Sequence, residues 1–143
     1  VAQSSLVHAA FISGVSLGNS GLGLAHGVAA ALGVECGASH GLACAALLPV
    51  ALRVNQKIAE NDLARLNQVL GGQDMSVRDG AEQLVKRVVE MCRLAGTPDR
   101  LSEFGLKRSR IPWIAKHSSG NSMKGNPVQL SLTELEQVIE LAF

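Results

Sequence analysis

Residues 21–55 read GLGLAHGVAAALGVECGASHGLACAALLPVALRVN, and this stretch constrains the fold more than any other. It is long, apolar and rich in small residues, yet it cannot be one helix. Gly33 and Gly37 interrupt it, and Ser39 stands directly before His40. Glycine is the residue at which a helix most readily ends and the chain turns, so the pattern predicts helix, reversal, helix. The geometry matters because the stretch holds His26 and His40. On one straight helix their separation of fourteen residues would be roughly 21 Å at a rise of about 1.5 Å per residue. Across a reversal the two rings can face one point, and two neutral imidazoles facing one point are half of a metal site.

Ala and Leu dominate the chain and β-branched runs are scarce. That predicts an all-α fold, a bundle of about six to seven helices, in one domain over residues 1–143. The first helix is expected over residues 2–18, with Leu6, Ala10, Ser13 and Leu17 on one face and small residues that permit close approach. The second, over 22–32, carries His26, and the third, over 40–58, bends at Pro49 for want of one backbone hydrogen bond. Asn61 and Asp62 suggest the cap of a short helix reaching Leu70, before the break at Gly71 and Gly72. Ser76 caps a helix running to Ala95, with Leu84, Val88, Met91 and Cys92 as its apolar stripe and Lys86, Arg87 and Glu90 facing water. Residues 101–106 suggest a 3₁₀ turn, and Pro112 suits the first turn of a short helix over 111–116. Residues 118–126 read as a polar loop. The closing helix begins at Ser131, where S-L-T-E forms a capping box with Glu134, and buries Leu135, Val138, Ile139 and Ala142.

Composition removes several function classes. A net charge of +1 with 17% charged residues gives no basic stripe for nucleic acid, and 3% aromatics with no Tyr gives no base-stacking platform. The longest uncharged apolar run, residues 42–52, is too short to span a bilayer and contains Pro49. Three cysteines without C-x-x-C pairing, and no visible signal peptide, predict a reducing, cytoplasmic setting.

His26 lies in an otherwise apolar helix. It is either a core histidine bonded to backbone or, with His40 across the reversal, a metal ligand. His40 opens a helix, where the dipole disfavours imidazolium and keeps the ring in the form a metal needs; the plainer alternative is an ordinary N-terminal turn residue. A zinc knuckle of Cys36, His40 and Cys44 with His26 is a third arrangement. Its Cys-His-Cys order lacks the short paired spacing of structural zinc modules, and Cys44 reads as a buried free thiol in a small-residue helix. His8 is read as surface or core, His117 as a loop residue without a role, and Trp113 as packing. GNSGLGLAHG is superficially similar to a phosphate loop, but no strand precedes it and its spacing is not that of a nucleotide-binding motif. Its glycines are read as a tight turn and close helix entry.

GLGLAHGVAAALG, then SHG, then LLPV and an Asn, resembles the signature of the iron-dependent alcohol dehydrogenase family. The closing GNPVQLSLTELEQVIELAF is similar, more weakly, to that family's Asn-Pro turn and last helix. The resemblance implies the dehydroquinate synthase-like C-terminal helical domain of a two-domain enzyme, whose N-terminal α/β domain binds NAD or NADP. It implies one Fe2+, or Zn2+, held by an Asp and a His one turn apart early in the helical domain and by two later histidines. Those two match His26 and His40. It further implies a small alcohol or aldehyde as substrate and hydride transfer to or from the nicotinamide.

Two departures bear on that expectation. Only 25 residues precede His26, and no Asp-x-x-x-His pair occurs; the chain is then expected to be a C-terminal fragment without its dinucleotide-binding domain, inactive alone. Many family members carry another histidine where this chain has Ala30, which puts proton relay or substrate choice through that position in doubt. No residue of the chain is assigned a catalytic or cofactor-binding role. A domain parted from its neighbour should expose an apolar face, and a homodimer is one assembly open to it. The competing expectation is a non-catalytic helical interaction module in which both histidines are satisfied core groups.

Overall fold

The computed structural model describes residues 2–143. Seven α-helices are present among them: α1 (Ala2–Ser20), α2 (Leu24–Cys36), α3 (His40–Asn55), α4 (Glu60–Val69), α5 (Val77–Leu94), α6 (Ile111–Ser118) and α7 (Leu132–Ala142). Short 3₁₀ turns occupy Leu101–Phe104, Arg108–Arg110 and Asn121–Met123. No strand occurs among the described residues, and no helix is long and apolar enough to cross a membrane.

The fold is organised around α2. Its Leu24, Val28, Ala29 and Leu32 are completely buried, against Ala43 and Leu47 of α3, Ile114 and Ala115 of α6, and Leu135 and Ile139 of α7. Each fully buried Leu, Val or Ile contributes about 1.5–3 kcal/mol relative to exposure, so an Ala/Leu helix that buries most of its surface anchors the domain. Gly27 makes the contact with α6 close: a Cβ there would meet the Ser118 carbonyl oxygen at 2.9 Å and run into the Met123 side chain. α2 continues through Gly33 and ends at Gly37, whose φ of 65° is left-handed and whose N–H reaches the Gly33 carbonyl. It is therefore four residues longer than the sequence reading of 22–32 at its C-terminal end. Only the second of the two glycines adopts the conformation that stops a helix.

α4 and α5 form a second layer with its own small core of Leu63, Ala81 and Leu84. Ser76 caps α5 as expected, accepting from the Asp79 N–H at 3.1 Å. The α5 stripe differs from expectation at one position. Met91 is 64% exposed, and Val85 is buried in its stead. Arg87 leaves the solvent face too: it donates to the Leu70 carbonyl at 2.7 Å, satisfying the C-terminal end of α4. Asn61 and Asp62 do not cap α4, because the helix begins at Glu60 behind Ala59, which has no capping side chain. Asn55 instead passes its carbonyl to the Ala59 N–H at 3.0 Å, so α3 ends at Asn55 and hands directly to α4.

Pro49 sits inside α3 without ending it. Proline cannot donate to the carbonyl four residues back, and that carbonyl, Ala45, has Cys92 Sγ of α5 at 3.6 Å as a donor instead. The Ser131–Glu134 capping box of α7 forms as expected, and Leu135 and Ile139 are buried. His117 lies within α6 rather than in a loop; its ring stacks on Trp113 at 4.0 Å and its Nδ1 lies 2.8 Å from the Trp113 carbonyl oxygen. The expected face of α1 does not pack. No residue of that helix is buried, and Leu6, Val7 and Phe11 are 65–71% exposed.

Candidate metal centre

His26 lies in the first turn of α2 and His40 is the first residue of α3, joined by the three-residue connection 37–39. The reversal brings the rings together. His26 Nδ1 and His40 Nε2 are 3.1 Å apart, with ring centroids at 5.2 Å and planes inclined by 44°. Two neutral imidazoles at this distance either share one proton as N–H···N or turn two lone pairs to one cation. Bonds of about 2.0–2.1 Å from nitrogen to a divalent ion place two nitrogens about 2.9–3.4 Å apart for angles from square to tetrahedral. The observed separation falls inside that range, so the pair fits a divalent metal, and imidazole suits both iron and zinc.

Cys44 belongs to the same cluster. Its Sγ is 3.6 Å from His26 Nδ1 and 3.5 Å from His40 Nε2. His40, His26 and Cys44 together form a group able to hold an ion. Cys44 also packs against the main core, as expected of a free thiol in a small-residue helix. Its spacing of four from His40 puts both side chains on one face of α3. Cys36 has no place in this group and packs against the main core.

Electrostatics favour the neutral ring. Partial burial, and secondarily the neighbouring His40, push the His26 imidazole below its ordinary pKa. Burial raises the Cys44 thiol. His26 and Cys44 are half-buried and His40 is exposed, so the cluster opens to the surface. Ala30, one turn past His26, is exposed as well. His8 lies exposed on α1.

Asn126 positions the cluster from a distance. It is 4% exposed, and its Oδ1 accepts from the Leu24 N–H at 3.1 Å, capping α2 two residues before His26. Gly23 allows this, since a Cβ there would stand 3.0 Å from that oxygen. Glu35 near the far end of α2 is clamped by Arg110 through two hydrogen bonds of 2.6 and 2.7 Å. A separate cleft of about 470 Å³ between α3, α5 and α7, lined by Pro49, Val50, Cys92 and Leu141 among others, shares no residue with the cluster.

An all-helical domain that turns two imidazoles from consecutive helices toward one point is one built to present donors at its surface. The chain belongs to the Fe-containing alcohol dehydrogenase family: residues 1–143 match the model of that family's C-terminal part. The lactaldehyde reductase of Escherichia coli (strain K12) is 29% identical over 136 residues, covering 93% of this chain and 36% of the relative. The 1,3-propanediol dehydrogenase of Klebsiella pneumoniae is 27% identical over 146 residues, covering 99% of this chain and 38% of the relative. Among solved structures, an alcohol dehydrogenase from Oenococcus oeni superposes with a TM-score of 0.83 at 28% identity, over 91% of this chain and 35% of that one. The chain thus spans little more than a third of the length of these relatives, and the expected all-α architecture is that of the family's C-terminal helical domain.

Proposed function

We propose that this chain is the metal-binding, substrate-side helical domain of an iron-dependent, NAD(P)-linked alcohol dehydrogenase that interconverts a small alcohol and its aldehyde or ketone. The observation that carries the reading is the 3.1 Å approach of His26 Nδ1 to His40 Nε2, two nitrogens from separate helices placed as one divalent ion requires. Membership of the family supports Fe2+ as the ion, with Zn2+ compatible with the same nitrogens. Relatives named for lactaldehyde and 1,3-propanediol support a short, oxygenated substrate.

When bound, the metal supplies Lewis acidity at the substrate oxygen. The chain's own residues do the positioning. His26 is fixed by the capped start of α2 and His40 by the first turn of α3, so both rings reach one point without rearrangement of a loop. Partial burial, with the neighbouring His40, holds the His26 imidazole below its ordinary pKa and keeps its lone pair free. Ala30 leaves the surface next to His26 open rather than polar. The reading requires a dinucleotide-binding domain. Support comes from α1, whose apolar residues all lie at the surface, as expected of a face that other protein covers. The unpaired state of Cys36, Cys44 and Cys92 supports a reducing, cytoplasmic setting.

The test is made on the protein at its full natural length. His26→Ala and His40→Ala should each lower metal content and metal-dependent, NAD(P)-linked alcohol oxidation by at least about 100-fold, the upper range seen when a ligand's support is lost, with helicity retained. Unchanged metal content in both variants would show that the histidines are not ligands.

A further inference from the structure

We infer that the substrate taken beside His26 and His40 carries an alkyl group, rather than a second hydroxyl or a charge, on its reacting carbon. It is an unsubstituted aliphatic alcohol of a few carbons, or its aldehyde. This deepens the function proposed above and rests on it. Ala30 and Val34 continue the row of His26 along α2, one and two turns on, and both are exposed. Cys44 and Leu48 continue the row of His40 along α3 in the same way, Cys44 half-buried and Leu48 42% exposed. A rise of about 1.5 Å per residue sets Ala30 about 6 Å and Val34 about 12 Å beyond His26. A substrate of three or four carbons whose oxygen lies at the two histidines therefore meets Ala30 and Cys44 first.

Beyond the histidines, neither row carries a hydroxyl, an amide or a charge. A thiol is a weak donor and acceptor and behaves as a small hydrophobe. From a third side the Met123 side chain lies against Gly27, the residue after His26. Ser39 precedes α3 and stands off the row of His40. The charged and amide side chains of the two helices are engaged elsewhere. Glu35 is held by Arg110, Asn55 is paired with Asn126, and Arg53 lines the cleft toward α5 and α7. A second hydroxyl brought against this wall gives up its water and finds no partner, which costs free energy. A methyl group in the same place leaves water favourably.

1-Butanol and 1,3-propanediol are the probes, a pair of equal shape in which a terminal methyl replaces a hydroxyl. On the metal-loaded, full-length protein with NAD(P), kcat/KM for 1-butanol should exceed that for 1,3-propanediol by about 10–100-fold, the range in which an apolar site rejects an added hydroxyl. A second reading needs no turnover. Butyramide, an unreactive stand-in for butanal, should bind the complex with NAD(P)H more tightly than 3-hydroxypropanamide, measured by calorimetry. Ala30→Asn adds an amide to the wall and should narrow the preference about 3–10-fold, the worth of one hydrogen bond, with metal content unchanged. Ala30→Leu should lower kcat/KM for 1-butanol more than for ethanol. Equal or better turnover of 1,3-propanediol, or a preference that neither Ala30 variant alters, overturns the substrate class alone. Failure to oxidise any alcohol, or activity and metal content that His26→Ala and His40→Ala leave intact, sinks the function on which it rests.

Discussion

The side-chain amides of Asn55 and Asn126 exchange two hydrogen bonds, Asn55 Nδ2 to Asn126 Oδ1 at 3.0 Å and Asn126 Nδ2 to Asn55 Oδ1 at 3.1 Å. The pair joins the end of α3 to the turn before α7. The same Asn126 oxygen caps α2 at Leu24, and the same Asn55 oxygen accepts from the Val128 N–H at 3.1 Å. Replacing Asn126 by Ala takes their Asn126 partners from the buried Leu24 N–H and the Val128 carbonyl, while the Asn55 amide keeps Ala51 and Val128. The expected loss is roughly 2–4 kcal/mol, from about 1–3 kcal/mol for each buried group left unsatisfied, read by urea unfolding. A loss under about 0.5 kcal/mol, the range of a neutral surface change, would show that the clamp is dispensable.

Gly27→Ala sets two effects against each other. Alanine gains about 1 kcal/mol of helix propensity over glycine. The new Cβ, however, meets the Ser118 backbone carbonyl at 2.9 Å. Met123 can swing aside, but a carbonyl at the end of α6 cannot, and overpacking of this kind costs about 1–3 kcal/mol. The clash wins, so the variant should melt lower and bind metal more weakly, because the neighbouring His26 shifts with the backbone. A higher melting temperature would show that α6 yields freely.

Glu35 and Arg110 give the chain an acid-sensitive clamp. Hydrogen bonds from the Arg110 guanidinium hold the Glu35 carboxyl below its ordinary value of 4.5. A carboxylate depressed in the folded state adds stability that is complete above its unfolded value and is lost as pH falls through the folded one. Glu35→Gln should therefore be less stable than the unaltered protein near neutrality, and the gap should close as the pH drops below 4.5. Thermal melts across that range decide it; a gap independent of pH would assign the difference to packing.

Metal removal should lower the melting temperature without unfolding the domain, because the core around α2 includes neither histidine. At a free-ion concentration one hundred times the dissociation constant, the bound ion adds about 2.7 kcal/mol. Calorimetry with and without chelator should show that shift in the unaltered protein and none in the His26→Ala, His40→Ala double variant. Collapse of helicity on chelation would instead mark a zinc-stabilised fold.

Local signals in the sequence read true where a bond is local. The Ser131–Glu134 box, the Ser76 cap and the reversal between His26 and His40 all depend on residues within a few positions of one another, and all are present. Features fixed by distant partners left no such mark. Asn126 caps a helix 102 residues away, and nothing near it in sequence announces that. Asn61 and Asp62 have the chemistry of a cap, but α4 begins at Glu60 behind Ala59, so both lie inside the helix. Met91 fits an apolar stripe by period, yet it is exposed in the fold and Val85 is buried instead. Cys44 stands four residues after His40 on one face of α3, but only the reversal brings His26 Nδ1 to within 3.6 Å of its sulfur.

α1 carries a consequence of its own. Its nineteen residues include no buried side chain, and an isolated helix of such length, with Ser, Gly and Asn among its residues, is only marginally stable in water. Its amides should therefore open at little cost, while those of α2, enclosed on several sides, open close to the limit set by global unfolding. Amide exchange then runs on two clocks within one molecule. Slowing of the first clock while the second holds constant measures how much of the α1 surface has been covered. The opening helix is thus a gauge, carried in the chain itself, of whether its neighbours are in place.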